Sequence, residues 1–294
     1  FGEKLVMRIF DPGVLFQDLV DLGLDDESYE RYLSFIQRPN GLILVTGPTG
    51  SGKTTTLYST LRRLSSPEVN VTSIEDPIEM VVEDFNQIAV HPRIGLDFSH
   101  ALRHILRQDP DVIMIGEIRD TETAAQALQA ALTGHLVLST LHTNDTPSSV
   151  TRLLELGLNP YIVSSTLVGV VAQRLVRRIC ESCRTTHTLT EEQQSVLGIE
   201  LPPGAERELE VHRGEGCARC RGTGLYGRTA VFEMLAVTDS VRELINERAD
   251  AGAIRRAARA DGTVTLREAA VRKLAEGETS YEEVLRVTAD EDGR

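Results

Sequence analysis

The chain has 294 residues, 41% hydrophobic, 26% charged and 4% aromatic, with a formal net charge of −13. That composition belongs to a soluble globular protein with a buried core and excludes intrinsic disorder. The acidic balance opposes a nucleic-acid-binding surface, which needs clustered Lys and Arg, and no run of 18 uninterrupted apolar residues is present to span a membrane. The length exceeds the usual domain of about 100–200 residues, so two unequal domains are expected.

The sequence opens without Met on a strand-like run, Lys4-Leu5-Val6-Met7-Arg8-Ile9, that has no partner before it, and it reads as a fragment lacking its N-terminal part. From residue 42 to 140, short apolar runs alternate with helical periodicity, the pattern of a parallel sheet built from βα repeats. Leu42-Ile43-Leu44-Val45 and Val112-Ile113-Met114-Ile115 are apolar at every position, as strands covered on both faces are, and Leu136-Val137-Leu138 is a third such run. A helix is expected over 54–64, with Leu57, Leu61 and Leu64 on one face. A second is expected over 121–133, capped by Thr121 and stopped at Gly134. After Thr146 the sequence reads as mostly helical, with capping boxes expected at Thr190, Ser240, Thr265 and Ser280. The basic stretches Gln173-Arg174-Leu175-Val176-Arg177-Arg178 and Ile254-Arg255-Arg256 read as solvated helix faces, and residues 288–294 as a frayed end.

Gly47-Pro48-Thr49-Gly50-Ser51-Gly52-Lys53-Thr54 satisfies G-x-x-x-x-G-K-[ST] between an expected strand and an expected helix. The glycines let successive N–H groups curl around a phosphate, and the helix N-terminus adds a positive dipole end. Lys53 is expected to bridge the β- and γ-phosphates, Thr54 to offer its hydroxyl to Mg²⁺, and Thr55 to complete the nucleotide contacts. ATP/ADP is favoured over a guanine nucleotide because no Asn-Lys-x-Asp segment follows a strand.

Hydrolysis also needs a carboxylate for Mg²⁺ and a group that positions or deprotonates water. Ile74-Glu75-Asp76-Pro77-Ile78-Glu79 places three carboxylates at the end of an expected strand over 69–74, and Glu117 follows the strand over 112–115. In open parallel sheets ligands bind off the carboxyl ends of the strands, so these segments converge on the cradle. His142, at the end of the strand that begins at Leu136, is expected to sense a γ-phosphate or its water; His135 reads equally as structural.

All four cysteines form two pairs, Cys180-x-x-Cys183 and Cys217-x-x-Cys220, the donor set of a tetrahedral Zn²⁺. The long spacing between the pairs implies a protruding arm that contains the helix beginning at Thr190. Four thiolates leave no open coordination position, so the expected role is structural.

With these motifs in order, the sequence resembles the secretion and type IV pilus traffic ATPases, most closely the type II secretion assembly ATPase. The carriers are the Walker A segment over 47–54, the aspartate box over 74–79, the Walker B segment over 109–120 and the histidine box from Thr133-Gly134-His135 to Leu141-His142-Thr143. The resemblance implies an α/β fold: a RecA-like P-loop NTPase core over 13–178, a zinc-binding arm over 179–230 and a helical C-terminal subdomain over 231–294. Residues 1–12 would be the remnant of a second N-terminal domain. It further implies Glu79 as the catalytic glutamate, Glu117 as the Walker B acid, and Arg8 as an arginine that reaches nucleotide on domain closure. A homo-hexameric ring, peripheral at the cytoplasmic face of the bacterial inner membrane, would engage platform proteins and power pseudopilus assembly. The tetracysteine would mark an assembly rather than a retraction motor. With most of the N-terminal domain outside this sequence, weak basal turnover is expected. The close alternative is a type IV pilus assembly ATPase, because the boxes are shared; the competing classes are a RecA-like nucleic-acid translocase, opposed by low aromatic content and acidic charge, and a zinc-stabilised nucleotide-binding module without hydrolysis.

Overall fold

The computed structural model describes residues 2–5, 17–199 and 209–289; Arg8 and most of the strand expected over 4–9 lie outside them. A 3-10 turn at Leu19–Leu22 and helix α1 (Asp26–Ile36) precede β1 (Gly41–Thr46), α2 (Lys53–Leu64), β2 (Val71–Glu75), β3 (Asn86–Ala89) and α3 (Phe98–Ile105). Next come β4 (Val112–Ile115), α4 (Thr121–Leu132), β5 (Leu136–Leu141), α5 (Thr146–Glu155), α6 (Pro160–Thr166) and β6 (Leu167–Ile179). An arm follows, with β7 (Arg184–Leu189), α7 (Glu191–Leu197) and β8 (Leu209–Gly214). The chain returns through β9 (Leu225–Ala236) to α8 (Asp239–Asn246), α9 (Ala251–Ala260), α10 (Leu266–Ala275) and α11 (Tyr281–Thr288).

The main sheet has the order β3-β2-β4-β5-β1-β6-β9, parallel except for β9, which runs antiparallel to β6. Every residue of β1 is buried, and the period of two divides them. Leu42 and Leu44 join the core formed with Leu102, Ala127 and Leu153, whereas Ile43 and Val45 join Tyr32, Phe35, Leu57 and Tyr58 on the other face. Coverage on both faces is why these strands are apolar throughout, each such side chain contributing about 1.5–3 kcal/mol of burial. Gly169 of β6 lets α1 approach closely, since a Cβ there would lie 2.6 Å from the Phe35 ring. Cross-strand pairs Thr46↔Leu141, Ile115↔Ser139 and Ile74↔Ile115 set the carboxyl ends of β1, β5, β4 and β2 level, so the loops that follow open on one edge.

The region after Thr146 is not mostly helical. It contains the two longest strands, β6 with 13 residues and β9 with 12, and the two-stranded β7–β8 sheet of the arm. The basic stretch 173–178 is a strand rather than a solvated helix face, and Gln173 and Arg174 are buried in it. Their polar groups are satisfied, Gln173 Oε1 by the Thr56 hydroxyl at 2.8 Å and Arg174 through the Asn144 carbonyl at 2.9 Å, so burial without apolar character is tolerated. Strand β6 pairs with β1 only as far as Ala172; beyond it, β9 is its strand partner.

The stretch Ile254-Arg255-Arg256 does lie on a helix, α9. Capping boxes form at Thr190 and Thr265, but Ser240 sits inside α8, which Thr238 caps, and the Ser280 side chain makes no capping bond. Helix α4 is capped by Asp120, whose carboxylate accepts from the Thr123 amide at 2.8 Å, rather than by Thr121. Strand β2 begins at Val71 and carries Glu75 within it. Thr288 is not frayed: it is buried at the end of α11 and bonds the Val284 carbonyl at 2.9 Å.

Candidate active site

The turn from β1 into α2 needs glycine at two points. Gly47 has φ +147° and Gly52 φ +91°, and a Cβ would lie 2.5 Å from the Gln173 carbonyl oxygen at the first and 2.8 Å from Gln173 Nε2 at the second. Gly52 is also the N-cap of α2 and supplies no side chain, so the amides of the first turn remain available to an anion. The Lys53 ammonium donates to the Gly47 carbonyl at 2.7 Å and the Pro48 carbonyl at 3.1 Å. Burial lowers the Lys53 pKa; Glu117 opposes that shift and Arg174 adds to it.

This turn forms one wall of a cavity of about 610 Å³ lined by Thr49, Gly50, Ser51, Gly52, Lys53, Thr54 and Thr55, while Pro48 faces a smaller adjoining one. The opposite walls bring in Glu79 from the loop after β2, Glu117 and Arg119 after β4, and His142 after β5. His142 Nε2 lies 3.4 Å from Glu117 Oε2, and Arg119 pairs with the other Glu117 oxygen. The hydrogen bond that Arg119 donates to Glu117 raises the Arg119 pKa; burial opposes the rise, and the charges of Glu117 and Asp76 add to it.

The three carboxylates expected at the end of β2 divide. Glu75 turns into the core, 4% exposed, and accepts from the hydroxyls of Tyr58 at 2.5 Å and Ser73 at 2.6 Å and from Gln87 Nε2 at 3.1 Å. All three residues border the cavity, but Glu79 has no hydrogen bond or ion pair among the described residues. The main chain beside it is held: Gln87 donates to the Met80 carbonyl at 3.0 Å and accepts from the Val82 amide at 2.7 Å. His135 does not line the cavity; its Nδ1 lies 2.9 Å from the Ala130 carbonyl, at the other end of β5.

Arg119 and Arg228 also line the cavity, and sequence reasoning assigned neither a role. Arg119 stood within a recognised box. Arg228 had no such signal, because it reaches the site through pairing of β9 with β6, where it lies opposite Arg177. Arg228 makes no ion pair among the described residues, and two cations facing each other across a strand pair are unfavourable unless an anion joins them.

The four cysteines come together as well, with all Sγ atoms within 4.8 Å of one another. Separations of 3.8 Å for Cys180–Cys217, 3.9 Å for Cys183–Cys220 and 3.7 Å for Cys217–Cys220 match the edge of a tetrahedron with metal–sulfur bonds of about 2.3 Å, and exceed the roughly 2.05 Å of a disulfide. Backbone amides face the sulfurs: Gly216 to Cys183 at 3.3 Å, and Cys217 and Gly224 to Cys220 at 3.1 and 3.2 Å. Burial acts to raise both Cys220 and Cys183; at Cys220 the two amides, with hydrogen bonds from Cys217 and Cys183, outweigh it and pull the pKa down to about 6, whereas Cys183 is pushed up to about 11, so the four sulfurs share their protons unequally. The donor set therefore fits a tetrahedral, thiophilic divalent cation.

The chain matches the family described as type II/IV secretion system protein over residues 1–286. It is 48% identical over 287 residues to the type IV pilus assembly ATPase TfpB of Acinetobacter baylyi, covering 98% of this chain and 49% of that protein. It is 45% identical over 289 residues to the type II secretion system ATPase E of Vibrio cholerae, covering 98% and 56%. The chain thus spans about half the length of these curated relatives. Among solved structures, the pilus retraction motor PilT with bound ADP superposes with a TM-score of 0.67 at 29% identity, covering 95% of this chain and 69% of that one. No helix among the described residues is long and apolar enough to cross a membrane. Sequence, parallel-sheet core and site geometry agree: this chain belongs to the type II/IV secretion system protein family of secretion and pilus ATPases.

Proposed function

We propose that this chain binds ATP with Mg²⁺ in the 610 Å³ cavity and hydrolyses it to ADP and phosphate. The observation that carries the reading is convergence: a glycine-dependent phosphate cradle shares one cavity with Glu79, Glu117, Arg119 and His142, delivered by three separate strands. In this reading the α2 amides and Lys53 hold the phosphates, with Lys53 exchanging its loop carbonyls for phosphate oxygens. Thr54 and Glu117 would hold Mg²⁺, which neutralises charge on the leaving γ-phosphoryl group when bound. Glu79, unpaired and on a braced loop, orients the attacking water and accepts its proton; His142, beside Glu117, reports the state of the γ-phosphate. Zn²⁺ in the tetracysteine would fix the arm without taking part in the reaction.

At the level of the whole protein, the motor reading is a homo-hexamer, peripheral at the cytoplasmic face of the bacterial inner membrane, that works with platform proteins to assemble a type II secretion pseudopilus. Type IV pilus assembly is the second reading, favoured by the 48% identity to a pilus assembly ATPase. ATP turnover measured beside oligomer mass tests both claims, and absence of turnover in every oligomeric state would overturn the enzyme reading. Binding to the cytoplasmic domain of a secretion platform protein, compared with its pilus counterpart, separates the two systems.

A further inference from the structure

Glu233, on β9, is a buried carboxylate, 5% exposed, for which the proposed chemistry has no use. Its Oε1 accepts from the Thr146 amide at 3.0 Å and the Thr146 hydroxyl at 2.6 Å, and its Oε2 faces the Leu266 amide at 3.3 Å. Thr146 opens α5 and Leu266 opens α10, so one side chain ties together the first turns of two helices far apart in sequence. All three contacts are donors, so both carboxylate oxygens must accept. Glutamine, with one acceptor oxygen and one donor group, can satisfy only one of the two helices.

The Thr146 end of this tie is continuous with the nucleotide cavity. Residues 142–146 form the loop that starts with His142 at the cavity wall. The Thr143 amide donates to Thr46 Oγ1 at 2.9 Å, at the last residue before the cradle. Arg174 holds the Asn144 carbonyl at 2.9 Å, and Asp145 pairs with Arg255 of α9. The loop is thus fastened on one side to the base of the cradle and on the other to the C-terminal helices, with Glu233 as its buried link to α10.

We infer that Glu233 is a positioning residue that couples the loop 142–146 to α10, so that a nucleotide contact at His142 changes the C-terminal helical region. This rests on the nucleotide reading of the cavity. Coupling between sites requires an element whose state both of them bias, and in this inference that element is the loop held between Thr46 and Glu233. The test is hydrogen–deuterium exchange of this chain with and without Mg²⁺ and a non-hydrolysable ATP analogue. Wild type should show slowed exchange both at 47–54 and in α10, the latter by about fivefold or more, the lower range of measured coupling. Glu233→Gln should retain nucleotide affinity and cradle protection but lose the α10 response. A merely structural role would alter exchange in α10 equally with and without nucleotide.

An α10 response that persists in Glu233→Gln, or cradle protection without any α10 response in wild type, would overturn the coupling alone. No cradle protection in wild type would overturn the nucleotide reading and the coupling with it. Should Glu233→Gln not fold, Thr146→Val removes only the 2.6 Å hydroxyl contact; it should shrink the α10 response, and a response of wild-type size would overturn the inference.

Discussion

The phosphate cradle and the cysteine quartet each gather residues from distant stretches of chain, yet different forces hold them in place. The cradle hangs from β1, whose residues are buried on both faces, and its neighbouring loops are braced by neutral hydrogen bonds that Tyr58 and Gln87 donate and that Thr46 accepts from the Thr143 amide. The quartet sits at the base of an arm whose β7 strand is buried only at Leu189, and whose small core is shared with α10 and α11. The cradle is held by the fold around it; the quartet has the donor set of a metal site and far less buried structure beside it.

Stripping the metal should separate the two sites most sharply. Binding energy at structural zinc sites is about 10–16 kcal/mol and is largely folding energy, so chelation, or Cys180→Ser, should abolish exchange protection over 180–199 and 209–224. Protection over β1, β4 and β5 should remain; its loss would show that the arm and the sheet fold as one unit. Glu79→Gln acts on the other side of the comparison. It should lower kcat by about 10²–10⁴ with little change in nucleotide affinity or Tm, since Glu79 has no partner among the described residues to lose. A fall in Tm would mean that Glu79 braces the fold. Arg228→Ala tests whether the β6–β9 ribbon belongs to the nucleotide site. Loss of a charged hydrogen bond of about 1.5–3 kcal/mol should raise the Kd for ATP roughly ten- to hundredfold, as read by isothermal titration. Thr190→Ala removes the capping box of α7 within the arm and should cost about 1 kcal/mol, seen only as faster exchange in the arm and not as a change in turnover.

The same contrast explains what could be read from the sequence. Strands β1, β4 and β5 were legible because burial on both faces leaves an unbroken apolar run, and the cradle because phosphate binding dictates its glycines. The cysteines were legible because metal geometry dictates pairs. Strands β6 and β9 were not: buried Gln173 and Arg174 break the apolar pattern, and their acceptors and donors come from Thr56 and Asn144, far away in sequence. Glu75 and Glu79 looked equivalent in one short segment; both border the cavity, and only the tertiary contacts of Tyr58 and Ser73 engage the Glu75 oxygens and leave Glu79 as the open carboxylate. Arg228 and Glu233 were invisible because what each faces is set by where β9 lies in the fold rather than by local spacing.

Past Ala172, β6 leaves β1 behind and would present a bare strand edge, the template on which another chain can add itself. Residues 278–286 cover that edge. Arg286 donates to the Leu175 carbonyl at 2.8 Å, Glu283 accepts from the Arg177 amide at 2.7 Å, Thr279 donates to the Arg177 carbonyl at 2.8 Å, and the Glu278 carbonyl accepts from Ile179 at 2.8 Å. Residues 278–286 thus stand in for a missing neighbour strand with side chains and one carbonyl, which no second copy of β6 can extend. The last helix is therefore also a guard against edge-to-edge aggregation, and a chain cut short before Glu278 would be expected to lose solubility before it lost its nucleotide cradle.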